Sequence, residues 1–180
     1  ICRNRKFKFC SPFISVIKNE NRAVDIKGNS NKFMIIQTIT WQQTLPVRQA
    51  VIWPNKPEIF CQVEEDREST HYGAFFDNKI VTVASLYAKT INGICRVRLR
   101  YFASLAEYQK IGIGNKLIQH IITDLKAQEV DYLWCDSPKF ALLFYKKLGF
   151  KVYGEEFLKQ EEPFLTVYLK LNRIQSFFNL

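Results

Sequence analysis

Leu99-Arg-Tyr-Phe-Ala-Ser-Leu-Ala-Glu-Tyr-Gln-Lys-Ile-Gly-Ile-Gly114 is the stretch on which the fold turns. Its first part closes a β-rich run, Cys95 to Ala103. Its last part, Gln109 to Gly114, opens a long helix: Ile113, Leu117, Ile121 and Leu125 recur every four residues, with Ile118 and Ile122 beside them, and form one broad apolar face. The first turn of a helix carries unpaired N–H groups and the positive end of the helix dipole. Two glycines there let an anion approach the backbone, and Asn115 and Lys116 add a donor and a cation in the same turn. Gln109, Lys110, Ile111, Gly112, Ile113, Gly114, Asn115 and Lys116 are therefore the candidate diphosphate cradle. The plainer alternative is a glycine turn that lets the helix pack close to a sheet. Gly-Lys-Ser/Thr does not follow the second glycine, which excludes the Walker pattern, and the spacing is not Gly-x-Gly-x-x-Gly.

Upstream, Asn92-Gly93 and Asp77-Asn78-Lys79 are turn signals that separate Cys95–Ala103, Ile80–Tyr87 and Tyr72–Phe76 into an antiparallel meander. Ile59 to Thr70 is acidic and polar and reads as a loop. Thr44 is positioned to cap a helix with Pro46 in its first turn and Val47 to Trp53 behind it, ended by Pro54 and Pro57. Ile35 to Trp41 alternates as a half-buried strand does. Downstream, Asp131–Asp136 is a short apolar strand, Pro138–Leu148 a second helix stopped by Gly149, and Phe150–Tyr153 and Thr166–Leu171 are further strands. The expected fold is a single mixed α/β (α+β) domain over residues 34–172, with a central, mostly antiparallel sheet flanked by helices.

The bulk numbers agree with one soluble domain. The chain has 180 residues, 47% of them hydrophobic, and no stretch reaches the roughly 20 apolar residues of a membrane span. Its net charge of +9 is uneven: residues 1–33 carry eight Lys and Arg against two acids. The basic balance thus belongs mainly to an N-terminal extension, which argues against a nucleic-acid role for the body. Met34 is the single methionine, and the periodic pattern starts after it, so translation is expected to begin there. A targeting leader is the alternative for Arg3 to Ile17, although Pro12 interrupts its apolar run. Residues 173–180 read as a tail. The five cysteines, Cys2, Cys10, Cys61, Cys95 and Cys135, show no metal-ligand spacing; no metal site is expected, and reduced thiols point to a cytoplasmic protein.

About 30 residues past the glycine loop comes Phe144-Tyr-Lys-Lys-Leu-Gly-Phe150. Together the two blocks resemble the signature of the GNAT family of N-acetyltransferases: a strand, a short loop, Gln/Arg-x-x-Gly-x-Gly/Ala, then Phe-Tyr-x-x-x-Gly-Phe. The resemblance covers roughly residues 35–171 and extends to Val47-Arg-Gln-Ala-Val51, similar to bacterial members. The chain departs from the pattern at Asp136-Ser137, where many members have Asn-Ala, and at Ala106, where proline is frequent.

The resemblance implies acetyl-coenzyme A as co-substrate and direct transfer to a primary amine, on a small molecule or a protein, in a ternary complex. It implies that backbone groups of Phe102, Ala103 and Ser104 hold the pantetheine arm and the oxyanion, that Asp136 lies near that arm, and that Tyr145 both contacts the cofactor and protonates the departing thiolate. A buried packing role is the alternative for Tyr145. The base is open: Glu64, Glu65, Asp66, His71 or water, with a solvated acidic run and a structural histidine as the plainer readings. Arg96, Arg98 and Arg100 share one strand face, which is either solvated or a docking site for phosphates or nucleic acid. Cys135 reads as a small buried hydrophobe. The acceptor is expected to contact Trp53–Thr70 and Gly154–Pro163. The other readings are a non-catalytic acetyl-coenzyme A sensor and a nucleic-acid-binding module built on the basic segment. The last strands leave monomer and homodimer both open.

Overall fold

The computed structural model describes Arg22–Asp25 and residues 33–172. The rest of the basic extension, Cys2 and Cys10 with it, and the tail from residue 173 lie outside the described residues. Eight strands form one sheet: β1 (Arg22–Asp25), β2 (Phe33–Ile39), β3 (Thr70–Phe76), β4 (Lys79–Ile91), β5 (Ile94–Ser104), β6 (Tyr132–Pro138), β7 (Lys151–Lys159) and β8 (Glu162–Lys170), in the order β1-β2-β3-β4-β5-β6-β8-β7. Every pairing is antiparallel except β5 with β6. The expected α/β architecture is the observed one.

The turns follow from residues that tolerate a left-handed backbone. Asp77-Asn78, Asn92-Gly93 and Gln160-Glu161 all have positive φ at both positions, as the mirror-image hairpin turns require. The last of these joins β7 to β8, so Gly154–Pro163, expected as a variable segment, is mostly two arms of a hairpin.

Among the described residues, three α-helices cover the sheet. α1 (Trp41–Val51) starts earlier than expected. Its cap is Thr40, not Thr44: the Thr40 hydroxyl accepts from Gln43 N (3.4 Å) and the Gln43 side chain accepts from Thr40 N (2.8 Å). Trp41 is therefore helical, and Thr44 donates back to the Trp41 carbonyl at 2.6 Å. Pro46 sits on the exposed face inside the helix, forfeiting one i→i−4 bond. The stretch expected as a loop holds two short 3-10 turns, Glu58–Cys61 and Glu64–Glu68. α2 (Ile113–Ala127) is the expected long helix, and Ile113, Leu117, Ile118, Ile121 and Leu125 are its buried stripe. The second expected helix is shorter. Pro138 is extended (φ −55°, ψ 143°) and ends β6, Lys139–Ala141 is a 3-10 turn, and α3 runs only from Leu142 to Lys147.

The two faces of the sheet are unlike. On one, Leu86, Val97, Leu99, Leu133 and Cys135 pack with the α2 stripe, Tyr145 and Phe150 into the main core. On the other, Val47 of α1 meets Val83 and Ala103 in a much smaller apolar cluster. Ile39, Ile52, Ile80 and Leu105 edge that cluster, and buried polar side chains, Arg48, Asp66, His71 and Ser85, lie beside it.

Candidate active site

β5 and β6 pair over only three positions, Arg96–Tyr132, Val97–Leu133 and Arg98–Trp134. Beyond them β5 continues against β4 as far as Ser104, and β6 continues against β8 as far as Pro138. Two adjacent parallel strands that stop pairing leave backbone N–H and C=O groups along both inner edges, the arrangement to which an extended ligand adds as a pseudo-strand.

β5 is also bulged at this opening. Ser85 lies opposite Arg100 and Val83 opposite Ala103, so Tyr101 and Phe102 together face Ala84. Tyr101 adopts φ +50°, a left-handed conformation that costs a bulky residue of order 1–2 kcal/mol. The extra residue reverses the side-chain phase. Leu99 points into the main core, Tyr101 into the opposite face, and Phe102 back toward α2 and α3, stacked on Phe144 at 5.7 Å.

α2 begins beside this opening. Its N-cap, Gly112, has φ +90° and nothing near the position a Cβ would take. No side chain caps the helix, and its first bond is Lys116 N to Gly112 O, so the N–H groups of Ile113, Gly114 and Asn115 precede the helical ladder. The loop is tied to β5 by Gln109 Nε2 donating to the Ser104 carbonyl (3.0 Å). Lys110 is left-handed (φ +62°) and exposed, and Ile111 is half exposed. The two glycines have different jobs. Gly112 supplies the backbone geometry and an open approach. Gly114 supplies closeness to the sheet, because a Cβ there would lie 2.9 Å from Phe102 Cζ.

Tyr145 of α3 is buried, with Phe144 and Phe150 edge-on to its ring. Its hydroxyl meets the thiol of Cys135 on β6. Burial pushes the phenol well above its ordinary range, with the neighbouring Cys135 adding to the rise, so it stays protonated across the physiological range. Burial likewise pushes the Cys135 thiol up to about 12, which makes it no nucleophile at neutral pH.

Asp136 projects to the other face. Arg98 Nη2 and Lys159 Nζ each donate to its Oδ2 at 2.7 Å, and Thr166 Oγ1 donates to Oδ1 at 2.9 Å. Burial raises its pKa, but these partners outweigh burial and hold the carboxyl below its usual value. The family resemblance implies a place near the cofactor arm for Asp136; its side chain lies in a cationic cluster with Arg98 and Lys159.

The acidic run divides. Glu64 is exposed, and Glu65 is 58% exposed and 3.6 Å from Arg100. Asp66 is no solvated charge: it is 1% exposed. Arg48, 0% exposed, donates to both its oxygens at 2.7 and 2.8 Å, Tyr87 donates at 2.9 Å, and Val63 N at 3.0 Å. Burial raises the Asp66 pKa, and these donors, Arg48 foremost, carry it below its ordinary value. His71 has both ring nitrogens engaged, Nδ1 with Ser85 Oγ and Nε2 with the Asp66 carbonyl, each at 2.8 Å, and burial lowers its pKa. Neither group has a free edge for a substrate, so Asp66 and His71 are structural.

Arg48 is the residue sequence reasoning missed. Its Nη2 also donates to Ser85 Oγ (2.7 Å), its Nη1 to the Cys61 carbonyl (3.1 Å), and its guanidinium lies 4.6 Å from the centre of the Tyr101 ring. The available signal was its place on the buried stripe of α1, beside Thr44, Leu45 and Val47. Arg98 and Arg100 are likewise not a solvated face: they are about one-third exposed and held over Trp134, Tyr87 and Tyr101. Among the described residues, no cluster of His, Cys, Asp or Glu has the makings of a metal site, and no helix is long and apolar enough to cross a membrane.

Comparison with known proteins adds a family. Residues 54–171 match the model of an acetyltransferase (GNAT) domain. The chain is 29% identical over 127 residues to the uncharacterized N-acetyltransferase YitI of Bacillus subtilis (strain 168), covering 68% of this chain and 85% of that one. Among solved structures, it resembles the ribosomal-protein-S18-alanine N-acetyltransferase of Escherichia coli (TM-score 0.63, 17% identity, 82% of this chain and 99% of that one). It also resembles a GNAT family acetyltransferase from Elizabethkingia anophelis with acetyl-CoA bound (0.58, 19%, 77% and 98%) and an N-acetyltransferase from Staphylococcus aureus Mu50 (0.61, 15%, 77% and 97%). At these identities the likeness to solved structures is one of fold.

Proposed function

The chain belongs to the GNAT family of acetyltransferases, and from that premise we propose that it moves an acetyl group from acetyl-coenzyme A to a primary amine by direct attack in a ternary complex. The observation that carries this reading is the parting of β5 from β6 beside the uncapped start of α2. The diphosphate fits the N–H groups of Ile113 to Asn115, with Lys116 in the same turn. The pantetheine arm fits the free edge of β5, where the bulge turns the backbone of Phe102 to Ser104 into the cleft.

In this reading the acceptor loses a proton to water before it attacks, since Asp66 and His71 are committed elsewhere. The nitrogen lone pair forms a bond to the thioester carbon, and the carbonyl oxygen gains charge against backbone N–H groups near the bulge. The C–S bond then breaks and the electron pair stays on sulfur. Tyr145 gives its proton to that sulfur and regains one from the acceptor nitrogen through water. The products are the amide and the free thiol of coenzyme A.

The test is isothermal titration of the full chain with acetyl-coenzyme A, followed by turnover of Tyr145→Phe on an amine panel. Binding is expected in the wild type, with kcat about a hundredfold lower in the variant and little change in cofactor affinity. Absence of binding overturns the function; unchanged kcat removes Tyr145 from the chemistry.

A further inference from the structure

α2 and α3 pack on one face of the sheet beside the β5–β6 opening, so in the reading above an acceptor meets the thioester from the other face, which carries Tyr101 and Arg100. That face holds more positive charge than it neutralises. Arg98 and Lys159 share one carboxylate, Asp136. Arg48 is consumed by Asp66. Arg100 differs from both arginines: among the described residues its contact with a carboxylate is Glu65 at 3.6 Å, beyond hydrogen-bond length and largely in solvent.

Arg100 is nevertheless fixed in place. Its Nη2 donates to the Tyr101 hydroxyl at 2.7 Å, and its guanidinium lies over the Tyr101 ring (4.8 Å) and the Tyr87 ring (5.1 Å). Such stacking holds the plane of the fork, and the side chain, 29% exposed, keeps part of that fork within reach of solvent. It directly precedes the bulge, so a planar, bidentate anion site sits within about two strand residues, roughly 7 Å, of the transfer point. The cofactor's phosphates do not compete for it, because their cradle at α2 is on the other face.

Resting on the acetyl-transfer reading above, we infer that the acceptor is a free α-amino acid, whose carboxylate is held by the fork of Arg100 while its amine faces the thioester. The rings of Tyr87, Tyr101 and Trp53, the last 5.5 Å from Tyr101, line the approach and suit an apolar or aromatic side chain. A polyamine carries no group for this fork and adds a second positive charge to a face already in excess.

The experiment compares amino acids with their decarboxylated counterparts, phenylalanine with phenethylamine, tyrosine with tyramine and leucine with 3-methylbutylamine, within a screen of the proteinogenic amino acids. The wild type is expected to show kcat/KM at least tenfold higher for the acid of a pair. Arg100→Gln is expected to bring that ratio close to one, and Arg100→Lys to keep part of it. Equal or faster acetylation of the decarboxylated amines, a ratio unchanged in Arg100→Gln, or no acetylation of any amino acid by a protein that binds acetyl-coenzyme A overturns the inference alone. Absence of acetyl-coenzyme A binding overturns the function reading and this one with it.

Discussion

The two faces of the sheet are built by different physics. Under α2 and α3 the contacts are apolar and periodic, and stability there scales with area removed from water. Under α1, a buried guanidinium organises an aspartate, a histidine, a serine and two tyrosines, and each group is stable only because its neighbours are present. The first face anchors the element that would carry the cofactor. In the proposed function, the second would shape the side an acceptor approaches. Substitutions should therefore be graded on the apolar face and close to all-or-none on the polar one.

The sharpest way to break that contrast is Arg48→Ala. It strands Asp66 in a buried position, and losing one partner of such a pair costs about 3–5 kcal/mol. Removing the charge on Asp66 as well (Arg48→Ala with Asp66→Asn) is expected to cost less than the two single changes added together, because no buried charge is then left unpaired. Denaturant midpoints of the three variants measure this. Strict additivity would mean that the pair is not coupled and that the face is no network.

The next effect lies across the sheet. Gly114→Ala places a Cβ 2.9 Å from Phe102 Cζ, and that ring is stacked on Phe144 and has little room to retreat. Overpacking of this kind costs about 1–3 kcal/mol, and it pushes the start of α2 away from β5. Gly112→Ala meets no neighbour and bears only the strain of φ +90°, of order 1–2 kcal/mol. Thermal melts and acetyl-coenzyme A titration together separate these costs. Gly114→Ala should weaken binding through a displaced helix, and Gly112→Ala through a distorted cradle.

What the sequence disclosed follows the same division. The 3.6-residue period of Ile113 to Leu125 and the turn pairs at Asp77 and Asn92 are local signals, and the structure carries them unchanged. Gln109 to Gly114 was legible as the approach to a helix start, because its glycines stand at the start of the apolar period. The bulge at Tyr101 was not, because a left-handed tyrosine is set by the register of β4 against β5 and leaves no trace in composition. Asp66 was misplaced for a related reason. An acidic tripeptide looks solvated until a cation 18 residues away is known to bury one member of it, and Arg48 sits in a helix whose weak amphipathic pattern hides it.

The mildest perturbation is acid, and it acts on the polar face alone. Burial keeps His71 neutral in the fold, so the unfolded chain takes up its proton more readily. Its contribution is complete above the unfolded value, about 6.5, and is lost as the pH falls from there toward the lower folded pKa. Asp66 is depressed in the opposite chemical sense, as a carboxylate held charged by Arg48. Its contribution is complete above about 3.9 and is lost as the pH falls through its folded value. Stability should thus decline in two steps, histidine first and aspartate second. His71→Gln should start from a lower stability but show a flatter slope between pH 7 and pH 5, because the group that titrates there is gone. Equal slopes in wild type and variant would place the acid sensitivity elsewhere, in groups other than His71.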